Sequence, residues 1–350
     1  MNKTIAINGR KIGHGEPAYI IAEIGSNHNG NLDLAKKLIE AAAKAGVDAV
    51  KFQTFHAEAH YSKHTPGFTY LEEQGHQQNT YDLIKSLEID REWHEELIDL
   101  CTNLSIDFLS SPCDYEAVDQ LGALGMPAFK LASFDLPDLN LIGHMASFKR
   151  PLLFSTGMAS YSDIQAALKT TKEAGNDQVL LLQCTSLYPA PADLSNLTAM
   201  DTMRRAFGLP VGYSDHTLGD HISIAAVALG ACLIEKHFTL DRNLPGPDHA
   251  FAIEPSELAE MIKRIREVEA AIGDGVKDGP REAELEMFEK GRRSLHVIKA
   301  VKAGEIISKD NLRIKRPGYG ILPKYFEIVA GMRATKNISD DHWITWEDFK

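Results

Sequence analysis

YIIAEIGSNHNGNLDLAKKLIEAAAKAGVDAVKFQTF, residues 19–55, reads as strand, loop, helix and strand in succession. Tyr19 to Ile24 and Val47 to Gln53 are short β-rich runs, too brief for helices and rich in β-branched and aromatic side chains. Between them Asn31 can cap a helix, Leu34, Leu38, Ala41, Ala42 and Ala45 fall on one face, and Gly46 ends it where a left-handed residue is wanted. A strand followed by a helix and a second strand is the unit of a parallel sheet.

The same alternation recurs down the chain. Further strand candidates are Ile106 to Ser110, Ala128 to Ala132, Leu152 to Ser155, Gln178 to Cys184, Val211 to Ser214 and Cys232 to His237. With the first two they make about eight, the number that closes a (β/α)8 TIM barrel. The stretch His56 to Ser86 is too long for a simple connection and is expected to form a lid or rim, with His56, His60, His64 and His76 on its solvated face. The barrel pattern ends near Gly273, where DGVKDGP is turn-rich. The expected division is a barrel domain over 1–280, a linker over 281–291 and a small β-rich module over 292–350. That module has β-like runs at Ser294 to Val301 and Arg313 to Lys315, and so small a unit is expected to dock on something.

Lys and Arg number 37 against 49 Asp and Glu, so the 350-residue chain carries a net charge of −12. Such a field repels polyanions, which argues against nucleic acid or an anionic membrane as a partner; any phosphate must be held locally. Ile222 to Ile234, the longest apolar stretch, is interrupted by Ser223 and Gly230 and is shorter than the roughly 20 residues of a membrane span. The first residues show no export signal, so a cytoplasmic address is expected. Cys101, Cys113, Cys184 and Cys232 are scattered, as reduced core thiols would be. Trp93, Trp343 and Trp346 read as packing residues.

In a barrel of this kind the C-terminal strand ends face one shared mouth, so polar residues there are active-site candidates. Nearly every strand ends in one: Glu23, then Lys51 and Gln53, Ser110 and Ser111, Lys130 with Ser133 and Asp135, Ser155 and Thr156, Thr185 with Ser186 and Tyr188, Asp215 and His216, and Glu235 to His237. Lys51 and Lys130 interrupt apolar strands, where a cation costs several kcal/mol unless paired. A bound phosphate or carboxylate is the economical partner, with serine hydroxyls and the Thr156-Gly157 turn as further donors. The alternative is an inert network in which each lysine pairs with Glu23, Asp135 or Glu235. His216 and His237 end consecutive strands, and two neutral imidazoles without a thiolate suit a divalent ion such as Mn²⁺, Co²⁺ or Zn²⁺. Alternatively His237 is a hydrogen-bonded core histidine and His216 caps a turn. His28 reads as a turn residue. With no nucleotide-loop or serine-elbow motif, the cation-rich mouth beside an open metal favours addition chemistry at a carbonyl.

Taken together, IAEIGSNHNG at 21–30, AGVDAVKFQTF at 45–55, FKLASFD at 129–135, FSTGM at 154–158, CTSLYPAP at 184–191, GYSDHTLG at 212–219 and IEKHFTLDRNLPGPDHAF at 234–251 closely resemble the sialic acid synthases, including the legionaminate and pseudaminate relatives. KRPGYGILP at 315–323 resembles the antifreeze-like SAF domain that ends these enzymes. The fold this implies is a TIM barrel followed by a small SAF β-clip domain.

The resemblance implies a metal-dependent condensation of phosphoenolpyruvate with an open-chain N-acylated hexosamine, giving a nine-carbon 2-keto-3-deoxy acid and phosphate. Lys51, Ser111, Lys130, Ser133, Ser155 and Ser186 would hold phosphoenolpyruvate. His216 and His237 would hold the metal, with Mn²⁺ placed first and Mg²⁺ or Co²⁺ as alternatives. Glu23 is carried over as the carboxylate that orients water or phosphoenolpyruvate, and Gln53, Asp135, Tyr188 and Asp248 as the sugar-facing set. Arg316 would reach the sugar's N-acyl group from a partner chain, which implies a domain-swapped homodimer. Three positions depart from the neuraminate pattern: Asp135 where Glu is common, Ser111 where many have Thr, and Gln183 where His is usual. N-Acetylmannosamine is placed first as the sugar, with a 2,4-diacetamido-trideoxyhexose as the alternative. A Schiff-base aldolase using Lys130 or Lys51, and a non-catalytic carbohydrate-binding protein, rank below these.

Overall fold

The computed structural model describes residues 4–69 and 79–349, which divide into two compact units, Met1–Gly273 and Asp274–Lys350. The first unit opens with an antiparallel hairpin, β1 (Ile5–Ile7) and β2 (Arg10–Ile12). Asn8 and Gly9 turn it at φ 45° and 80°, the paired left-handed conformation that an Asn-Gly dipeptide favours in a two-residue hairpin. This element lies outside the expected strands, although its turn signal stands plainly in the sequence.

Eight parallel strands then close a barrel: β3 (Tyr19–Gly25), β4 (Ala49–Thr54), β5 (Asp107–Pro112), β6 (Phe129–Leu131), β7 (Leu152–Ser155), β8 (Val179–Cys184), β9 (Val211–Asp215) and β10 (Leu233–His237). β10 pairs back to β3, with His237 beside Glu23 and Glu23 in turn beside Lys51 of β4. The expected TIM barrel is therefore the observed one. Helix α1 (Leu32–Ala45) behaves as its termini require: Asn31 accepts a hydrogen bond from the Leu34 N–H, and Gly46 sits at φ 92°. Its buried face is Ala35, Leu38, Ile39 and Ala42, turned from the expected Leu34, Ala41 and Ala45, because Ile39 carries more apolar surface to the sheet.

Side chains alternate in and out along each strand, and this divides the molecule into layers. Ile20, Ala22, Val50, Phe52, Phe129 and Phe154 face the helices. Tyr19, Ile21, Ala49, Leu109, Leu153, Leu180 and Leu233 form a second cluster with Ile5, Ile7 and Ile12 of the hairpin. The N-terminal half of the barrel is thus filled with hydrocarbon, and the next inward positions along the same strands are Glu23, Lys51, Ser111, Ser155 and Glu235. At Gly212 the inward face has no room for a side chain: a Cβ there would lie 2.6 Å from the Leu233 carbonyl and 2.7 Å from the Leu182 side chain.

Among its described residues the stretch after β4 carries two short helices, α2 (Ala57–His60) and α3 (Thr80–Ser86); His76 lies outside the described residues. Among the described residues no helix is long and apolar enough to cross a membrane. The four cysteines are free; three are buried and Cys113 is half-buried.

In the second unit a helix at Leu285–Gly291 precedes an antiparallel pair, β11 (Ser294–Val297) and β12 (Leu312–Lys315). Leu295, Val297, Leu312, Ile321, Val329 and Ile344 give this unit a core of its own. Trp343 is half-buried, but Trp346 is 49% exposed and packs edge-on against Tyr325 rather than in the core, so the expectation that it is a packing residue is corrected.

Candidate functional site

The two lysines that interrupt apolar strands both point into the barrel. The Lys51 Nζ lies 2.7 Å from Glu23 Oε2, 3.2 Å from Ser111 Oγ and 3.9 Å from Glu235 Oε1. The Lys130 Nζ donates to Ser155 Oγ at 2.7 Å and to the Leu131 carbonyl at 3.0 Å, and stands 3.8 Å from the same Glu235 oxygen. Glu235 therefore sits between two buried ammonium groups without closing a short contact to either, and its other oxygen is buried with no hydrogen-bond partner. Next to this pair the Gly157 N–H donates to Ser133 Oγ at 3.0 Å. A Cβ on Gly157 would fall 2.4 Å from Ser186 Oγ, a buried hydroxyl that itself has no partner. Two lysines, four serine hydroxyls and a glycine backbone are the donor set that a small phosphate-bearing anion requires.

Burial, together with repulsion from Glu235, raises the Glu23 carboxyl to about 7 against the pull of Lys51. Burial alone would raise Glu235 as well, but Lys130 and Lys51 more than offset it and hold this carboxylate below its ordinary range. Burial lowers Lys130, while the two glutamates keep Lys51 above its ordinary value. Glu23 is thus a group that can take or give a proton near neutrality, and Glu235 is a permanent anion.

Across the mouth, the rings of His216 and His237 are 5.4 Å apart. The His216 Nδ1 lies 2.7 Å from the Thr185 carbonyl; an N–H donated there leaves the Nε2 lone pair free. The His237 Nδ1 is buried without a hydrogen bond, 3.6 Å from Asp248 Oδ2. Burial lowers His216 to about 4 and holds His237 well below its ordinary value, so both imidazoles are neutral. An orphaned ring nitrogen beside a neutral histidine with a fixed tautomer fits a divalent ion. The Tyr188 ring lies tilted against His216, 4.4 Å between centres, and burial raises the Asp248 carboxyl to about 6. Asp248, Gln53 and Glu23 meet at Gly25, where a Cβ would lie 3.6, 3.1 and 3.1 Å from their polar atoms.

With this geometry in place, comparison with known proteins is decisive. The family model described as NeuB family matches residues 38–277, and that of the SAF domain matches 292–350. The chain belongs to the NeuB family. It is an enzyme of the sialic acid synthase type. It is 44% identical to the N,N′-diacetyllegionaminic acid synthase of Campylobacter jejuni over 93% of this chain and 98% of that one. The corresponding enzyme of Legionella pneumophila is 41% identical over 99% of each. The crystal structure of an N-acetylneuraminic acid synthetase from Leptospira borgpetersenii, in complex with citrate, superposes with a TM-score of 0.72 at 33% identity, covering 83% of this chain and 96% of that one.

Other candidates of this NeuB-family chain lie elsewhere. Asp135 does not join the lysines directly; its carboxylate faces His60 at 3.8 Å and the Cys113 thiol at 3.9 Å. His60 was expected on a solvated face, with His56 and His64. Helix α2 instead turns it back toward Asp135, while His56 pairs with Glu88 and His64 is exposed. Arg316 is in the second unit, where its Nε donates to the Gly291 carbonyl at 2.6 Å. Buried His28 is the expected turn residue, its Nδ1 accepting from the Gly30 N–H. Lys236 and Asp215 face outward from the barrel and pair with each other at 2.9 Å. From the sequence, Glu235 stands among the strand-end residues and, with Glu23 and Asp135, as a possible lysine partner; Lys51 does pair with Glu23, but that Glu235 lies between both lysines was not read. The signal was there in LIEKH, where period-two alternation sends Glu235 and His237 to one side and Lys236 to the other.

Proposed function

We propose that this enzyme condenses phosphoenolpyruvate with the open-chain form of a 2,4-diacetamido-trideoxyhexose, giving N,N′-diacetyllegionaminic acid and phosphate. This reverses the order of sugars read from the sequence, which placed N-acetylmannosamine first: the relatives at 44% and 41% identity are named for legionaminic acid. The observation that carries the reaction itself is Glu235 held loosely between Lys51 and Lys130, 3.9 and 3.8 Å away. Lys51 is already paired with Glu23 at 2.7 Å, so it is Lys130, whose carboxylate contact to Glu235 is no closer than 3.8 Å, that favours an incoming anion.

In this reading Lys51, Lys130, Ser111, Ser133, Ser155 and Ser186 hold the phosphate and carboxylate of phosphoenolpyruvate. Gln53, Asp135, Tyr188 and Asp248 orient the sugar so that its aldehyde carbon meets the enol carbon. His216 and His237 would hold Mn²⁺, with Mg²⁺ or Co²⁺ as alternatives, and the ion supplies Lewis-acid polarisation of the aldehyde. Bond formation from the enol carbon to the aldehyde leaves a cationic centre at C2. Water adds there, Glu23 takes the proton that the water releases, and that proton ends on the former aldehyde oxygen, now a hydroxyl. The C2 adduct then expels phosphate by carbon–oxygen cleavage. Neutral His216 and His237 stay available as donors throughout, and Glu235 remains charged to balance the lysines.

Arg316 completes the reading as a contact to the sugar's N-acyl group from the SAF domain of a second copy in a domain-swapped homodimer. Arg316→Ala is expected to raise the sugar KM by about 1.5–3 kcal/mol with little change for phosphoenolpyruvate; equal effects on both substrates would remove the swapped arrangement. We place the reaction in the cytoplasm, in keeping with four free cysteines.

The test is phosphate release from phosphoenolpyruvate and Mn²⁺ with a panel of hexosamines. The diacetamido sugar is expected to exceed N-acetylmannosamine in kcat/KM by about tenfold or more, and EDTA to stop release. Preference for N-acetylmannosamine would overturn the sugar, and no release with any sugar would overturn the reaction. Borohydride trapping with pyruvate should give no adduct; a covalent adduct would point to a Schiff-base aldolase.

A further inference from the structure

Three separate elements bring a nitrogen, a sulfur and an oxygen donor to one place beside the mouth. His60 ends helix α2, Cys113 follows β5, and Asp135 ends the short turn Ser133–Asp135 after β6. One ligand atom from each lies within 4.8 Å of the others, and among the described residues no other group of three His, Cys, Asp or Glu side chains does so. The His60 Nε2 to Asp135 Oδ1 distance is 3.8 Å, and Cys113 Sγ to Asp135 Oδ2 is 3.9 Å. Tetrahedral zinc, with its usual bond lengths, needs about 3.4 Å between nitrogen and oxygen donors and about 3.6 Å between sulfur and oxygen or nitrogen donors. The two contacts to Asp135 are within a few tenths of an ångström of these values, one at each carboxylate oxygen, and side-chain adjustment within the 4.8 Å cluster would bring the three donors onto one ion. The side chains of His60 and Asp135 remain 22% and 11% exposed, so the fourth corner can be reached from solvent.

We propose that His60, Cys113 and Asp135 form a second metal site, selective for a thiophilic divalent cation of the Zn²⁺ type and separate from the His216–His237 pair. The donor set decides the selectivity. One sulfur, one imidazole and one carboxylate suit Zn²⁺ or Co²⁺, whereas Mg²⁺ and Mn²⁺ prefer oxygen. Binding balances by loss of the Cys113 proton to solvent as the thiolate forms. If Asp135 also contacts the sugar, as the proposed function has it, zinc here removes a sugar ligand and inhibits by competing with the sugar. That consequence rests on the proposed reaction; the site does not.

The test is spectroscopic. Co²⁺ is titrated into the metal-free full-length protein, and the near-ultraviolet sulfur-to-cobalt charge-transfer band is followed. The His216–His237 pair contains no thiolate and contributes nothing to this band. Wild type should show the band, Cys113→Ser should lose it, and His60→Ala should weaken Co²⁺ binding at this band by about 10–100-fold, the scale known for far milder changes around metal sites. Both variants should keep Mn²⁺-supported phosphate release, which shows that they fold, and should lose sensitivity to micromolar Zn²⁺. No band in wild type, or a band that persists in Cys113→Ser, would overturn the site. A normal band with Zn²⁺ inhibition that the sugar does not relieve would leave the site standing and remove Asp135 from the sugar contacts.

Discussion

The barrel buries two sets of lysine and carboxylate, one on each side of its wall, and they are built in opposite ways. Outside, Lys236 donates to Asp215 at 2.9 Å and to the Thr217 carbonyl at 2.8 Å. Asp215 also accepts from the Thr217 N–H, the Thr217 hydroxyl and the Ser223 hydroxyl. Inside, Lys51 and Lys130 straddle Glu235 at 3.9 and 3.8 Å, and one Glu235 oxygen has no hydrogen-bond partner. All five residues are about equally buried, at 1–5% exposure. Burial of charge therefore does not by itself mark a functional group. The outer pair is electrostatically closed and holds β9, β10 and the helix at His221–Ala228 together; inside, Lys51 is paired with Glu23 at 2.7 Å, but Lys130 donates, among the described residues, only to the neutral Ser155 and Leu131 carbonyl, and Glu235 closes a short contact to neither lysine.

Substitutions on the two sides should therefore separate activity from stability. The largest effect is expected at Lys130→Met. If Lys130 holds the departing phosphate, as proposed, its loss should lower kcat/KM by about 10²–10³-fold, while the melting temperature holds or rises because a buried cation with its carboxylate contact no closer than 3.8 Å is gone. Lys236→Met should do the reverse. It strands the Asp215 carboxylate and is expected to cost about 3–5 kcal/mol of stability, with the KM for phosphoenolpyruvate unchanged in protein that remains folded. Phosphate release and calorimetry on the same preparations check both.

A smaller effect sharpens the comparison through pH. His28 and His94 are buried in the wall and lowered to about 4 by burial. Between pH 6.5 and 4 the unfolded chain takes up protons that the folded chain refuses, so stability falls as pH falls through that window. The loss is at most about 3 kcal/mol per histidine. Glu23 has the opposite sign. Raised to about 7, it holds its proton more tightly when folded, so its contribution is lost as pH rises from about 4.5 to 7. Urea unfolding of Glu23→Gln across this range should show stability climbing more steeply with pH than in wild type; an unchanged slope would mean that Glu23 is ionised throughout.

The barrel was legible because its signals are local: strand-length apolar runs, the Asn31 and Gly46 helix termini, and polar residues at strand ends. The mouth was legible as a set of residues and not as a network. That Lys51 pairs with Glu23, and that Glu235 lies between both lysines, depends on register between β10, β3 and β4, which no single strand encodes. The hairpin that plugs the barrel floor was missed although Asn8-Gly9 announces it, since three-residue strands give too short a pattern. His60 looked solvated because its surroundings in the chain are polar; a one-turn helix brings it inward against groups 53 and 75 positions away.

The most direct measurement is calorimetric titration of phosphoenolpyruvate into the Mn²⁺-loaded wild type, Lys130→Met and Lys236→Met. Wild type and Lys236→Met should bind alike, and Lys130→Met should bind at least about 100-fold more weakly while melting no lower than wild type. Undiminished binding by Lys130→Met would contradict the claim that the loosely paired Lys130 is kept for the anion.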